Sequence, residues 1–168
     1  MKRLFLLRHA KSSWDDPGLE DHERPLAPRG RRASKLIAEH LRRERIAPSL
    51  VLCSSARRTR QTLKRVMSAL DEAAVSIEDG LYEASHGALL QRLREVPDDV
   101  ESVMLIGHQP AIQALALDLA GDGAELARVR AKFPTAALAT LLFAGDWSDL
   151  GPGIAELAAY VKPKELDE

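Results

Sequence analysis

Short, continuous apolar runs recur along this chain, and they constrain its fold more than any other feature. They are LFLL at Leu4–Leu7, SLVLC at Ser49–Cys53, SVMLI at Ser102–Ile106 and TAALATLLF at Thr135–Phe143. Runs this short, with no polar alternation, are the pattern of strands buried on both faces of a sheet. Between them lie segments with apolar residues at helical spacing. Ala33, Leu36, Ile37, His40 and Leu41 form a stripe that predicts an amphipathic helix over residues 29–45. Leu63, Val66, Met67 and Leu70 do the same for residues 56–70, and Leu89, Leu90 and Leu93 mark a helix ending near Pro97. Pro110 opens a further helix with Ile112, Leu115, Ala116 and Leu119 on one side and Gly121 as its stop. Ala74–Ile77 reads as one more short strand. The last segment, GIAELAAYVKPKELDE, permits either a helix or a strand over Ala155–Val161 ending at Pro163. Strands alternating with helices predict the α/β class: a three-layer sandwich with a mostly parallel central sheet flanked by helices.

Composition narrows the functional classes. The 168 residues suit one domain, residues 1–168, with 45% apolar and 29% charged content. Lys and Arg number 24 against 25 Asp and Glu, a net charge of −1, so nothing global favours nucleic acid or an anionic membrane. Aromatic residues make up only 4%, which leaves few stacking platforms for bases. Cys53 is the single cysteine, so no intrachain disulfide is possible and a reducing cytoplasm is expected. The apolar run after Lys2 and Arg3 is too short for a signal peptide, and no window approaches a membrane span. No heptad repeat argues for assembly, so a monomer is expected.

Two of the apolar runs end in a histidine: LFLLRH and VMLIGH. In open α/β sheets, ligands bind outside the carboxyl ends of the strands. If the two strands are neighbours, His9 and His108 converge on one crevice. Arg8 adds a planar, permanently charged fork suited to phosphate oxygens. The second run continues into CSSARRTRQT, where Arg57, Arg58 and Arg60 begin a helix at another strand's carboxyl end. Each motif alone has a plainer explanation, a surface pair or a structural histidine, and His22 and His40 read as ordinary. Residues 11–27 read as a long polar loop with a turn at Pro17-Gly18. Histidines and arginines gathered at three strand ends are the makings of a phosphate site.

LLRHAKSSW, RPLAPRG, SSARRTRQT and LIGHQPAI together resemble the four ordered signatures of the histidine phosphatase superfamily. The RHAKSSW loop and the LYEAS segment are similar to its small SixA-type phosphohistidine phosphatase branch. The resemblance runs from about residue 3 to residue 113, and FPTAALATL fits it as well. It implies a phosphoglycerate mutase-like fold and His9 as the nucleophile that takes the phosphoryl group. It implies Arg8, Arg58 and His108 as holders of phosphate oxygens. Arg58 rather than Arg57 stands four residues after Ser54, where the family places its arginine. Glu83, in GLYEASHG, is the candidate proton donor, with a solvated loop glutamate as the equal alternative and His86 as a weaker candidate. Ser12 either adds a hydroxyl to the phosphate or belongs to the loop. Trp14 either lines the pocket mouth or packs the loop. Ala27 departs from the family's Thr or Ser and removes a helix cap.

The chemistry agrees with these roles. A nucleophilic histidine must be neutral, and nearby Arg8 and Arg58 disfavour its protonated form. A backbone carbonyl on the other ring nitrogen would fix its tautomer. Arginines can stabilise the transferring phosphoryl group without a metal or other cofactor, and no metal-ligand spacing is present. The implied substrate is phosphohistidine on a signalling or phosphotransfer protein, whose leaving imidazole needs little help from an acid. The alternatives are a small phosphorylated metabolite and a non-catalytic module for phosphate or an acidic partner. A cysteine-phosphatase loop is excluded, because the spacing it requires after Cys53 falls on Thr59 rather than an arginine.

Overall fold

The structure, a computed structural model, describes residues 1–70 and 72–167. The elements follow in chain order as β1 (Lys2–Arg8), α1 (Pro28–Arg43), β2 (Leu50–Ser54), α2 (Arg57–Val66), β3 (Ala74–Glu78) and α3 (His86–Arg94). They continue as β4 (Ser102–Gly107), α4 (Ala111–Leu119), β5 (Ala120–Asp122), α5 (Leu126–Ala131), β6 (Leu138–Phe143) and β7 (Ala155–Val161). Among the described residues, the strands form one seven-stranded sheet in the order β3-β2-β4-β1-β6-β7-β5. The first four of these pair in parallel. β6 runs antiparallel to both its neighbours, and β5 is parallel to β7.

Alternation along the strands builds two cores. Leu4, Leu6, Val103 and Leu105 face the layer made by α3, α4 and α5, where Leu89, Leu93, Ile112, Leu115 and Val129 are buried. Phe5, Leu7, Met104 and Ile106 face the opposite layer, against Ile37 and Leu41 of α1 and Leu63 and Val66 of α2. β1 and β4 are therefore covered on both sides, as their unbroken apolar sequence requires. The predicted three-layer architecture with a mostly parallel sheet is the one observed. No described helix is long and apolar enough to cross a membrane.

The departures are local. β5 and α5 have three and six residues, too few for a periodic signal, and were not foreseen. α2 ends at Val66 and tightens into a 3-10 turn over Met67–Ala69, leaving Met67 44% exposed. β6 starts at Leu138 rather than Thr135, because Ala136 adopts a left-handed φ of 62°. Its N–H turns toward the Arg8 and His9 carbonyls, so this bend covers the end of β1. The ambiguous final segment is the strand β7.

α1 enters without a side-chain cap at Ala27, as the loss of Thr or Ser implies. Its start is held instead by the loop leaving β1, through the Ala27 N–H donating to the Lys11 carbonyl at 2.9 Å. Gly30 makes this approach possible. A Cβ there would lie 2.1 Å from the Lys11 carbonyl oxygen, and backbone must move to admit it. Gly30→Ala is expected to destabilise the fold by about 1–3 kcal/mol, the range for overpacking. It should also lower turnover, since Lys11 follows His9 by two residues. Urea unfolding and activity measured on the same preparation check both effects.

Candidate active site

The crevice forms where β1 and β4 end side by side. Their register pairs Arg8 with Gly107, and the His9 N–H donates to the Gly107 carbonyl at 3.1 Å. His9 and His108 follow these positions, with ring centroids 5.3 Å apart and planes inclined by 55°. The convergence expected from the two strand ends is thus observed.

His9 is only 7% exposed. Its Nδ1 lies 2.7 Å from the Ala10 carbonyl oxygen. A carbonyl only accepts, so Nδ1 carries the proton and Nε2 keeps its lone pair. The loop is anchored in turn: the Ala10 N–H donates to Thr62 Oγ1 at 3.0 Å, and that hydroxyl donates to the Arg58 carbonyl at 2.8 Å. Burial is the main force holding His9 neutral. It outweighs the opposing Ala10 hydrogen bond, and His108, Arg58 and Arg8 add to it, bringing the pKa down to about 3. The arginines act in the expected direction but are not the largest cause. His108 is lowered to about 4, first by burial and then by Arg58, with Asp21 opposing.

Arg8 and Arg58 come from β1 and the first turn of α2. Arg8 donates from Nη1 to the Phe133 carbonyl at 2.9 Å. Arg58 is 7% exposed and donates from Nη1 to the Asp21 carbonyl at 2.8 Å and from Nη2 to Asp21 Oδ2 at 3.0 Å. Arg57 instead turns outward, toward the Glu23 carbonyl at 3.3 Å, so Arg58 is the arginine of this pair that faces the crevice. Among the described residues, the buried side-chain polar atoms without a partner are Arg8 Nε, Arg58 Nε and His108 Nδ1. Buried polar atoms are ordinarily satisfied, and leaving them unpaired is costly. That all three belong to the residues expected to hold phosphate suits a site for an oxyanion, which would also relieve the repulsion between Arg8 and Arg58.

Two members of the site were missed. Asp21, from the long loop, pairs with Arg58 and with Arg24 Nε at 3.2 Å, and accepts from the Tyr82 hydroxyl. Burial pushes its carboxyl up, but the hydrogen bonds from Tyr82 and Arg58 outweigh that and bring it down to about 2. Tyr82 sets its ring edgewise against His108, at 5.6 Å and 75°, and against His22, at 4.7 Å and 88°. His22, treated as ordinary from the sequence, also reaches Ser55 Oγ with Nε2 at 3.0 Å. Nothing local in DDPGLEDHERP separates Asp21 from its acidic neighbours. Only the packing of the loop on α2 selects it.

The other candidates fall as follows. Glu83 is exposed and lines a cleft of about 250 Å3 with Asp21, Arg58, Tyr82 and His108. His86 is exposed at the start of α3. Ser12 is buried, and its Oγ accepts from Arg24 Nη1 at 2.8 Å, which ties it into the loop. Trp14 is 71% exposed and stacks under the Arg24 guanidinium, 3.5 Å from the ring centroid. Cys53 is fully buried, and burial pushes its thiol up to about 12, so it is no nucleophile.

The model of the histidine phosphatase superfamily (branch 1) matches residues 4–101. An uncharacterised protein of Mycobacterium tuberculosis is 41% identical over 162 residues, covering 94% of this chain and 100% of the relative. The structure of a candidate phosphohistidine phosphatase SixA from Agrobacterium tumefaciens superposes with a TM-score of 0.84 at 31% identity, covering 96% of this chain and 98% of that one. A protein histidine phosphatase SixA complexed with tungstate gives a TM-score of 0.80 at 26% identity, over 98% of this chain and 99% of that one.

Two expectations follow. The unfolded chain protonates its histidines near their ordinary value of 6.5, whereas folded His9 and His108 wait until about 3 and about 4. The unfolded state therefore binds more protons in that window, and stability must fall as pH drops from 6.5 toward 4. Urea midpoints between about pH 7 and about pH 4.5 should show this, with a shallower slope for His108→Asn. Asp21→Asn should lower kcat/KM on an aryl phosphate roughly tenfold, since Arg58 loses its anionic anchor.

Proposed function

The chain belongs to branch 1 of the histidine phosphatase superfamily, and we propose that it is a phosphatase that removes the phosphoryl group from phosphohistidine on a protein, by way of phospho-His9. The observation that carries this is the state of His9: buried, neutral, locked with Nε2 unprotonated, and flanked by Arg8, Arg58 and His108.

The steps use protein side chains and water. Nε2 of His9 attacks phosphorus while the substrate's P–N bond breaks. The departing imidazole nitrogen takes a proton, which Glu83, lining a cleft with Arg58 and His108, can deliver. Charge on the three equatorial oxygens is met by donors of Arg8, Arg58 and His108 that need little reorganisation. Water then attacks the phosphoryl group on His9 while giving a proton to the Glu83 carboxylate, which releases inorganic phosphate, restores neutral Nε2 and resets the donor. The same groups serve a phosphate ester, whose alkoxide leaving group depends more on the acid. Glu83→Gln should therefore impair an alkyl phosphate far more than a phosphohistidine peptide.

Wild type and His9→Ala, given an activated aryl phosphate and then assayed for an acid-labile phosphoenzyme, test the mechanism. Turnover and adduct are expected in wild type alone, with the variant at background. A folded wild type that neither turns over nor forms the adduct would overturn the phosphatase assignment. It would leave a module that binds phosphate or an acidic partner.

A further inference from the structure

The chain is nearly neutral overall, yet one cleft beside the phosphoryl site is strongly cationic. It has a volume of about 310 Å3 and is rimmed by Lys11, Arg29, Arg32, Lys132, Lys162 and Lys164. Asp167 is the one carboxylate among the described lining residues. None of the six cations belongs to an ion pair among the described residues. The floor is apolar, from Ala33, Leu36, Pro134 and Pro163. Four separate parts of the chain supply the rim: the loop leaving β1, the first turns of α1, the segment before β6 and the segment after β7.

The cleft adjoins the catalytic strand end. Lys11 follows His9 by two residues, and Lys132 precedes Phe133, whose carbonyl accepts from Arg8. The charge also sits where it opposes helix stability. α1 begins without a side-chain cap and without an acidic residue in its first turn, while Arg29, Arg31 and Arg32 crowd the positive end of its dipole. A local arrangement that works against its own helix points to a use outside folding.

We infer that this cleft docks an acidic segment of the phosphoprotein substrate, seating its carboxylates on the cationic rim while the phosphohistidine reaches His9. The inference rests on the proposed phosphatase activity for its substrate but not for the binding itself. Charge complementarity selects an acidic partner, and the apolar floor fits the nonpolar side chains of an amphipathic segment. No aromatic residue is among the described residues that line the cleft, so they offer no stacking platform for nucleic-acid bases.

The test compares two phosphohistidine peptides identical around the modified residue, one extended by a run of glutamate and the other by serine. Wild type is expected to prefer the glutamate peptide by about tenfold in kcat/KM, through KM, with the preference fading as salt rises. The triple variant Arg29→Glu, Arg32→Glu, Lys164→Glu should lose the preference while hydrolysing an aryl phosphate as wild type does. Equal use of both peptides by a wild type active on the aryl phosphate overturns the docking site and leaves the phosphatase standing. Fluorescence anisotropy of the unphosphorylated, labelled glutamate peptide reads docking without turnover. Binding there with no phosphatase activity would sustain the docking site and sink the activity. A single-stranded oligonucleotide of equal charge that binds as tightly as the peptide overturns the acidic-protein assignment.

Discussion

The parallel ladder between β1 and β4 is the constraint on which the rest depends. Both strands are buried on both faces, and their register pairs Leu7 with Ile106 and Arg8 with Gly107. Side chains alternate along a strand, so a slip of one residue would send every apolar side chain to the opposite face. The two cores forbid that slip. They thereby set His9 beside His108 with their rings 5.3 Å apart. Packing in the middle of the sheet fixes geometry at its end.

The site that results is electrostatically expensive. Two guanidiniums and two imidazoles, Arg58 and His9 buried and Arg8 and His108 half-buried, share a small volume, and both imidazoles are held neutral chiefly by desolvation. Asp21 supplies the one strong counter-charge among the described residues, tied at once to Arg58, Arg24 and Tyr82. The long loop therefore matters structurally, because it carries an anion across to the first turn of α2. The left-handed bend at Ala136 closes the other side, satisfying the carbonyls of Arg8 and His9 that would otherwise end β1 unpaired. The remaining unpartnered atoms, on Arg8, Arg58 and His108, are the ones a phosphoryl group's oxygens are suited to meet.

Much of this was legible in the residues. Continuous apolar runs identified β1, β2 and β4 because strands buried on both faces leave no room for polar alternation. His9, Arg8 and His108 could be located because they abut those runs, at the strand ends where ligands bind in such sheets. Arg58 was separated from Arg57 by spacing, and the helical turn agrees, turning one inward and the other out. β5 and α5 were illegible because three and six residues hold too little periodicity.

The class of fold, the strands of its core and the histidines and arginines at their ends are written in the sequence, because burial and periodicity leave local patterns. Only the folded chain brings Asp21 and Tyr82 against the histidines and arginines, ties Ser12 to Arg24, and gathers cations from four separate segments into one cleft. Those outcomes depend on which loop packs on which helix. Long-range packing sets that, and residues such as Asp21 carry no local mark to distinguish them from equally acidic neighbours.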